Sequence, residues 1–98
     1  MAQVQVIQLN SGDTTSPTVR IDLSRFRNGV GLIATVDSGA VASYTVQVSA
    51  DGAHWNNHDV LVNETVSKND SLQFPAVLLR LTGTVANGSV TLGIVQAS

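Results

Sequence analysis

Residues 41–61 read VASYTVQVSADGAHWNNHDVL, and their first half alternates without a break: Tyr44, Val46 and Val48 on one face, Thr45, Gln47 and Ser49 on the other. A period of two marks a strand with one buried face and one wet face. Asp51-Gly52 follows at once, a pair that tolerates the positive φ of a tight turn between strands. Trp55, the only tryptophan, comes three residues later. The economical arrangement is a hairpin with the Trp55 ring lying over the apolar face begun by Tyr44, so both are expected in the structural core.

The rest of the chain repeats the pattern. Residues 2–9 alternate Val4 and Val6 against Gln3 and Gln5, then change phase so that Ile7 and Leu9 carry the apolar positions. Such a slip predicts a β-bulge or a strand covered on both faces. Residues 10–17 (NSGDTTSP) form a polar loop. Residues 18–23 form a strand with Val19, Ile21 and Leu23 inward. Residues 30–36 are apolar at nearly every position, as in a central strand buried on both faces, and Asp37-Ser38-Gly39 turns the chain. A short strand is expected over 60–62, and residues 63–71 are polar apart from Val66. Phe74 is expected in the core, with Pro75 ending regular pairing. Two strands, 77–82 and 89–97, are joined through an Asn87-Gly88 turn, with Val77, Leu79 and Leu81, then Val90, Leu92 and Ile94, inward.

Seven or eight short strands at spacings of roughly 8 to 12 residues, with turn dipeptides between them, predict an all-β fold. The expected architecture is a single domain over residues 1–98, an antiparallel two-sheet β-sandwich, with a jelly roll among its topologies. A chain of 98 residues buries roughly 64% of its unfolded surface. With no cysteine, packing alone must hold it. The opening MAQVQVIQLN reads as a strand rather than a signal, and no run approaches the roughly 20 apolar residues of a membrane helix. A soluble chain is expected, with no membrane partner.

Only 12% of residues are charged, the net charge is -2 and no basic block occurs, which argues against a nucleic-acid partner. The one cluster of possible metal ligands is Asp51, His54, His58 and Asp59. It follows a hairpin, where an i, i+4 histidine spacing has no ready geometry, and Asp in turns bonds its own backbone. No nucleophile-elbow or phosphate-loop motif is present. The expectation is no enzyme, no catalytic residue, no metal and no cofactor. Three sequons, at Asn63, Asn69 and Asn87, are of the number that an Asn-, Ser- and Thr-rich chain produces by chance. Two partner-facing candidates remain. One is the Arg25-Phe26-Arg27 cluster, since Arg and aromatics are enriched at interface centres; a solvated turn with Phe26 plugging the sandwich end is the simpler explanation of it. The other is the pair Val4 and Val6, because the first strand carries more apolar residues than one covered face requires.

The order of elements resembles a family of small virion proteins of tailed bacteriophages. The matching pieces are Tyr44-Thr45-Val46-Gln47, Trp55-Asn56-Asn57-His58, Phe74-Pro75, Leu79-Arg80-Leu81 and the run from Gly88 to Gln96. They cover most of the second half of the chain, and none is a catalytic motif. The resemblance implies a structural protein of the virion, made in the host cytoplasm, that decorates or cements the capsid, with a tail or neck position as the alternative. Its partners would be the major capsid protein or another virion protein, and further copies of itself as a homo-oligomer. A second resemblance covers the hairpin only. Val48-Ser49-Ala50-Asp51-Gly52-Ala53-His54-Trp55 is similar to a hairpin of discoidin-like and other carbohydrate-binding sandwiches, which implies a small sugar-binding module with Trp55, and Phe26 as a second candidate, for its platforms.

Overall fold

The computed structural model describes residues 3–25, 29–73 and 76–96. Over them the alternating segments become β1 (Gln3–Asn10), β2 (Val19–Arg20), β3 (Val30–Val36), β4 (Val41–Ser49), β5 (Trp55–Asn57), β6 (Lys68–Leu72), β7 (Leu78–Asn87) and β8 (Ser89–Gln96). A 3-10 turn, Leu23–Arg25, lies between β2 and β3. Two four-stranded sheets result, ordered β1-β8-β3-β6 and β2-β7-β4-β5, with every pairing antiparallel. Strand 1 pairs with 8, 2 with 7, 3 with 6 and 4 with 5. That is the order produced by rolling one long hairpin around itself, the double-sheet jelly roll. The expected antiparallel sandwich is therefore the fold.

The two inner faces close on each other. Leu32, Val90, Leu92 and Ile94 of the first sheet and Tyr44, Val46, Leu79 and Leu81 of the second are all essentially without solvent exposure. Each such aliphatic side chain stabilises the fold by about 1.5–3 kcal/mol relative to leaving it in water. Tyr44 brings a hydroxyl into this layer and donates it to the Val66 carbonyl at 2.8 Å. Burial first, then the nearby Glu64 carboxylate, push the Tyr44 hydroxyl above its ordinary pKa, so it remains a donor.

At one end of the sandwich the inward positions turn polar. Gln96 is fully buried; its Oε1 accepts from the Asp22 amide at 3.0 Å and its Nε2 donates to the Asp22 carbonyl at 2.8 Å. Gln5 Nε2 donates to the Arg20 carbonyl at 2.9 Å. The segment after β2, which has no ladder of its own, is thus bonded to the first sheet by glutamines. The polar stretch 11–17 is secured in a similar way along β7. The Gly83 amide donates to Thr14 O, and the Ser16 amide and the Leu81 carbonyl meet at 2.9 Å.

Several local expectations change. The register of β1 on β8 is unbroken from Gln3↔Gln96 to Asn10↔Ser89, so no bulge exists. The apparent slip arises because Gln3 and Gln5 take the inward phase ahead of Ile7 and Leu9. Strand β3 is buried on one face only, with Ile33 exposed on the other. The second strand shortens to Val19–Arg20, and Leu23 is exposed in the 3-10 turn. Residues 60–62 form no strand, yet Leu61 is buried and its carbonyl accepts from the Val46 amide. Pairing appears instead in the polar run, as β6. Strand β7 continues to Asn87, and Gly88 alone carries the chain across to the other sheet. Phe74 and Pro75 lie outside the described residues.

Trp55 is the main correction. It pairs with Ser49, and residues directly opposite in an antiparallel pair share a face. It therefore stands on the outer face with Gln47 and Ser49, half-buried, and not over Tyr44, Val46 and Val48.

Gly83 sits opposite Tyr44 at φ +152°, and a Cβ there would run into the Ser43 carbonyl and the Tyr44 Cα, both backbone atoms. Gly83→Ala should destabilise the domain by about 3 kcal/mol or more, from strain and overpacking together. Urea unfolding measures this, and a loss within about 0.5 kcal/mol, as at an ordinary surface position, would show that β4 and β7 can part there.

Candidate interaction surface

The pairing registers fix which residues share the outer face of the first sheet. Val6, Gly93 and Ile33 form one row, and Val4, Val95 and Gly31 the next. Val4 and Val6 are 61% and 62% exposed and Ile33 is 46% exposed. Further along the same face come Gln8, Thr91 and Thr35, then Asn10 and Ser89, with Ser71 and Asn69 beside Gly31 and Ile33. None of these residues is charged. Lys68 and Asp70 of β6 fall in the other phase, and Lys68 pairs with Glu64 at 3.1 Å.

The two glycines shape the face. A Cβ on Gly93 would meet nothing nearer than 3.8 Å, and one on Gly31 nothing nearer than 3.6 Å, so the chain's own packing does not require glycine at either position. A glycine in a strand interior weakens the strand, and where no internal contact demands it, it leaves room for close approach by another surface. The outcome is an uncharged patch in which Val4, Val6, Val95 and Ile33 adjoin two positions that carry no side chain, Gly31 and Gly93.

The second sheet presents a different outer face. The Arg80 guanidinium lies over the Trp55 ring, 4.0 Å from its centroid. Arg80 Nε donates to Gln47 Oε1 and Gln47 Nε2 to Asn57 Oδ1, each at 3.0 Å. Trp55 Nε1 donates to the Gly52 carbonyl at 3.2 Å. Nearby, Thr45 is buried while its hydroxyl accepts from the Asn63 amide. The side chains on this face are largely bonded to one another or to the chain's own loops.

Asp51 organises the hairpin between β4 and β5, which is a five-residue loop, 50–54, rather than a two-residue turn. Its Oδ1 accepts from the Ala53 and His54 amides at 2.9 and 2.8 Å, and its Oδ2 meets His54 Nδ1 at 2.7 Å. The His54 amide, the His54 ring and the Ala53 amide hold its carboxyl well below the usual carboxylate range. His58 is separate from this turn and buried. Its Nδ1 accepts from the Val60 and Leu61 amides at 3.1 Å each, and Nε2 donates to the Ser71 carbonyl at 2.8 Å. Those partners assign the proton to Nε2 and make His58 a tie between the 58–61 segment and β6. Among the described residues, no three metal-ligating side chains converge.

Of the partner-facing residues expected from sequence, Val4 and Val6 stand together on the open face. Arg25 ends the 3-10 turn; its side chain, with Phe26 and Arg27, lies outside the described residues. Sequence reasoning did not find Ile33, Val95, Gly31 and Gly93. The signal was present as a glycine in one phase of each of two otherwise strong strands, β3 and β8.

Because Trp55 is half-buried, Trp55→Ala should cost about 1 to 2 kcal/mol in urea unfolding, mostly its contact with Arg80, and not the about 3–5 kcal/mol of a core aromatic. For Asp51, a folded-state pKa below the unfolded value of 3.8 means that the turn's stabilisation is present above that pH and is lost as pH falls below it. The stability gap between the native chain and Asp51→Asn should therefore narrow progressively as pH falls below about 4 in acid-titrated unfolding; a constant gap would mean that the carboxylate's charge contributes nothing. Compared with known proteins, the chain matches no family model, no curated protein and no solved structure.

Proposed function

We propose that this chain is a non-enzymatic structural protein of a bacteriophage virion, decorating or cementing the capsid through the outer face of its first sheet. The observation that carries the reading is that face: Val4, Val6, Ile33 and Val95 around Gly31 and Gly93, with no charged residue among its outward positions. A neutral patch with exposed apolar side chains suits a protein surface. The particle itself is drawn from the resemblance in the second half of the chain. Jelly rolls serve both viral capsid and lectin domains, so the fold does not choose between the two resemblances.

The sugar-binding reading has one observation in its favour, the position of Trp55 on an outer face. Against it, Arg80 already lies over that ring and the indole N–H is bonded to Gly52. The adjoining amides of Gln47 and Asn57 bond each other. Much of what a sugar would use is engaged within the chain.

The test is co-sedimentation with empty tailed-bacteriophage capsids assembled from the major capsid protein of the same phage. The native chain should pellet with them, and a chain carrying Ile33→Lys and Val95→Lys should stay in the supernatant. Outward substitutions of this kind change stability by only about 0.5 kcal/mol each, so thermal unfolding should be nearly unchanged. Trp55→Ala should bind capsids normally. Equal pelleting of the lysine variant, or glycan binding that Trp55→Ala removes, would overturn the capsid reading.

A further inference from the structure

The free edge of β1 has a second property, independent of the outer face. The Asp37 amide donates to the Ser89 carbonyl at 3.1 Å, and the Val36 amide to Ser67 Oγ at 2.9 Å on the opposite side of β3. Ser89 thus turns its backbone groups toward β3. In an antiparallel sheet alternate residues bond alternate neighbours, so Val90, Leu92, Ile94 and Gln96 bond β1 through Leu9, Ile7, Gln5 and Gln3. The N–H and C=O groups of Val4, Val6, Gln8 and Asn10 then point to the free edge. Those of Asn10 are taken by Asp13: its amide donates to Asp13 Oδ2 at 3.0 Å and its carbonyl accepts from the Asp13 amide at 2.9 Å. Among the described residues nothing else takes those of Val4, Val6 and Gln8, and the Gln8 side chain folds back over β8 onto Ser89 Oγ, clear of the edge.

Proteins guard such edges with charge, proline, bulges or short strands. The other three edges of this sandwich are guarded. β2 has two residues and β5 three, and β6 carries Lys68 and Asp70. β1 has eight residues, no charge, no proline and no bulge.

We propose that β1 pairs with β1 of a second copy across a two-fold axis at Val6, making one continuous eight-stranded sheet. That register sets Val6 against Val6 and Val4 against Gln8 of the other copy, so all three open residues of each chain meet open residues. Centring on Val4 would carry Gln8 past the end of the partner strand, and centring on Gln8 would bring Val6 against the occupied Asn10. The strand is uncharged, so the self-complementary pairing brings no like charges together. With one open edge per copy, the pairing closes at two and does not propagate. The contact is about 24 Å long and about 10 Å thick, well below the ~1,200 Å² of a stable interface, so a concentration-dependent dimer is expected.

The inference does not depend on the capsid reading, because the Ile33→Lys, Val95→Lys chain keeps this edge and should still dimerise. Amide exchange by NMR on the native chain should show the Val4, Val6 and Gln8 amides slowing several-fold from micromolar to millimolar concentration, as sedimentation reports the dimer. The Gln5 and Ile7 amides should be protected throughout. Val6→Pro removes an N–H that the monomer does not use, and edge strands accept proline there. That variant should remain folded and monomeric, whereas Gln5→Pro should lose stability. Exchange at the three amides that ignores concentration, a dimer that survives Val6→Pro, or Val6→Pro unfolding as Gln5→Pro does would each overturn the pairing. Protection that appears only on adding capsids would place another protein's strand at this edge and overturn the second copy.

Discussion

A strand has two faces, and burying one face of each sheet against the other is what holds this chain together. It has no cysteine, so the layer between the sheets carries the stability. That layer needs Tyr44, Val46 and Leu79 of one sheet to meet Leu32, Leu92 and Ile94 of the other, all from strands distant in sequence. The jelly-roll order satisfies the need by pairing each early strand with a late one, and nearly every connection then has to cross between sheets. The crossings dictate the remaining features. Gly88 occupies one, at φ +82°, where a Cβ would meet Ala40.

Crossing segments leave the ladders, and their buried backbone groups would cost free energy if left unpaired. Here buried polar side chains take the place of strands. Gln96 offers its amide as a peptide unit to Asp22, and Ser16 accepts from the Leu81 amide at 2.8 Å. His58 serves two amides and a carbonyl at once. These residues hold the fold at the points where the strands do not.

The strands were legible wherever one face was apolar and the other polar. Tyr44, Val46 and Val48, Leu79 and Leu81, and Val90, Leu92 and Ile94 point inward as their alternation requires. What failed was the reading of faces that break that rule. In β1 the inward phase opens with Gln3 and Gln5, since that end of the sandwich binds backbone rather than apolar side chains, and a period-two reading takes this for a slip. In β3 the outward Ile33 made a one-sided strand look two-sided. Trp55 was misplaced because its face depends on loop length: five loop residues pair it with Ser49, and hydrophobicity alone does not report that count. Strand β6 has almost no apolar content to announce it, its pairing with β3 being set by backbone. The open face was half legible, through Val4 and Val6, whereas Ile33 and Val95 join them only through registers that local pattern does not contain.

The asymmetry between the two outer faces bears on how such a protein could act. The second sheet covers itself with loops and a cation over its tryptophan, while the first leaves a neutral patch and a bare edge meeting at Val4 and Val6. A surface without charge gives no long-range steering, so its encounters depend on local concentration rather than attraction at a distance. One patch of three valines and an isoleucine is also a weak contact by itself. Under the proposed capsid role both limits point the same way, because a lattice of identical sites supplies the local concentration that the monomer's surface does not create. Pairing along β1 would join two neutral patches into one broader face, and a chain anchored at two lattice sites is released only when both contacts open together.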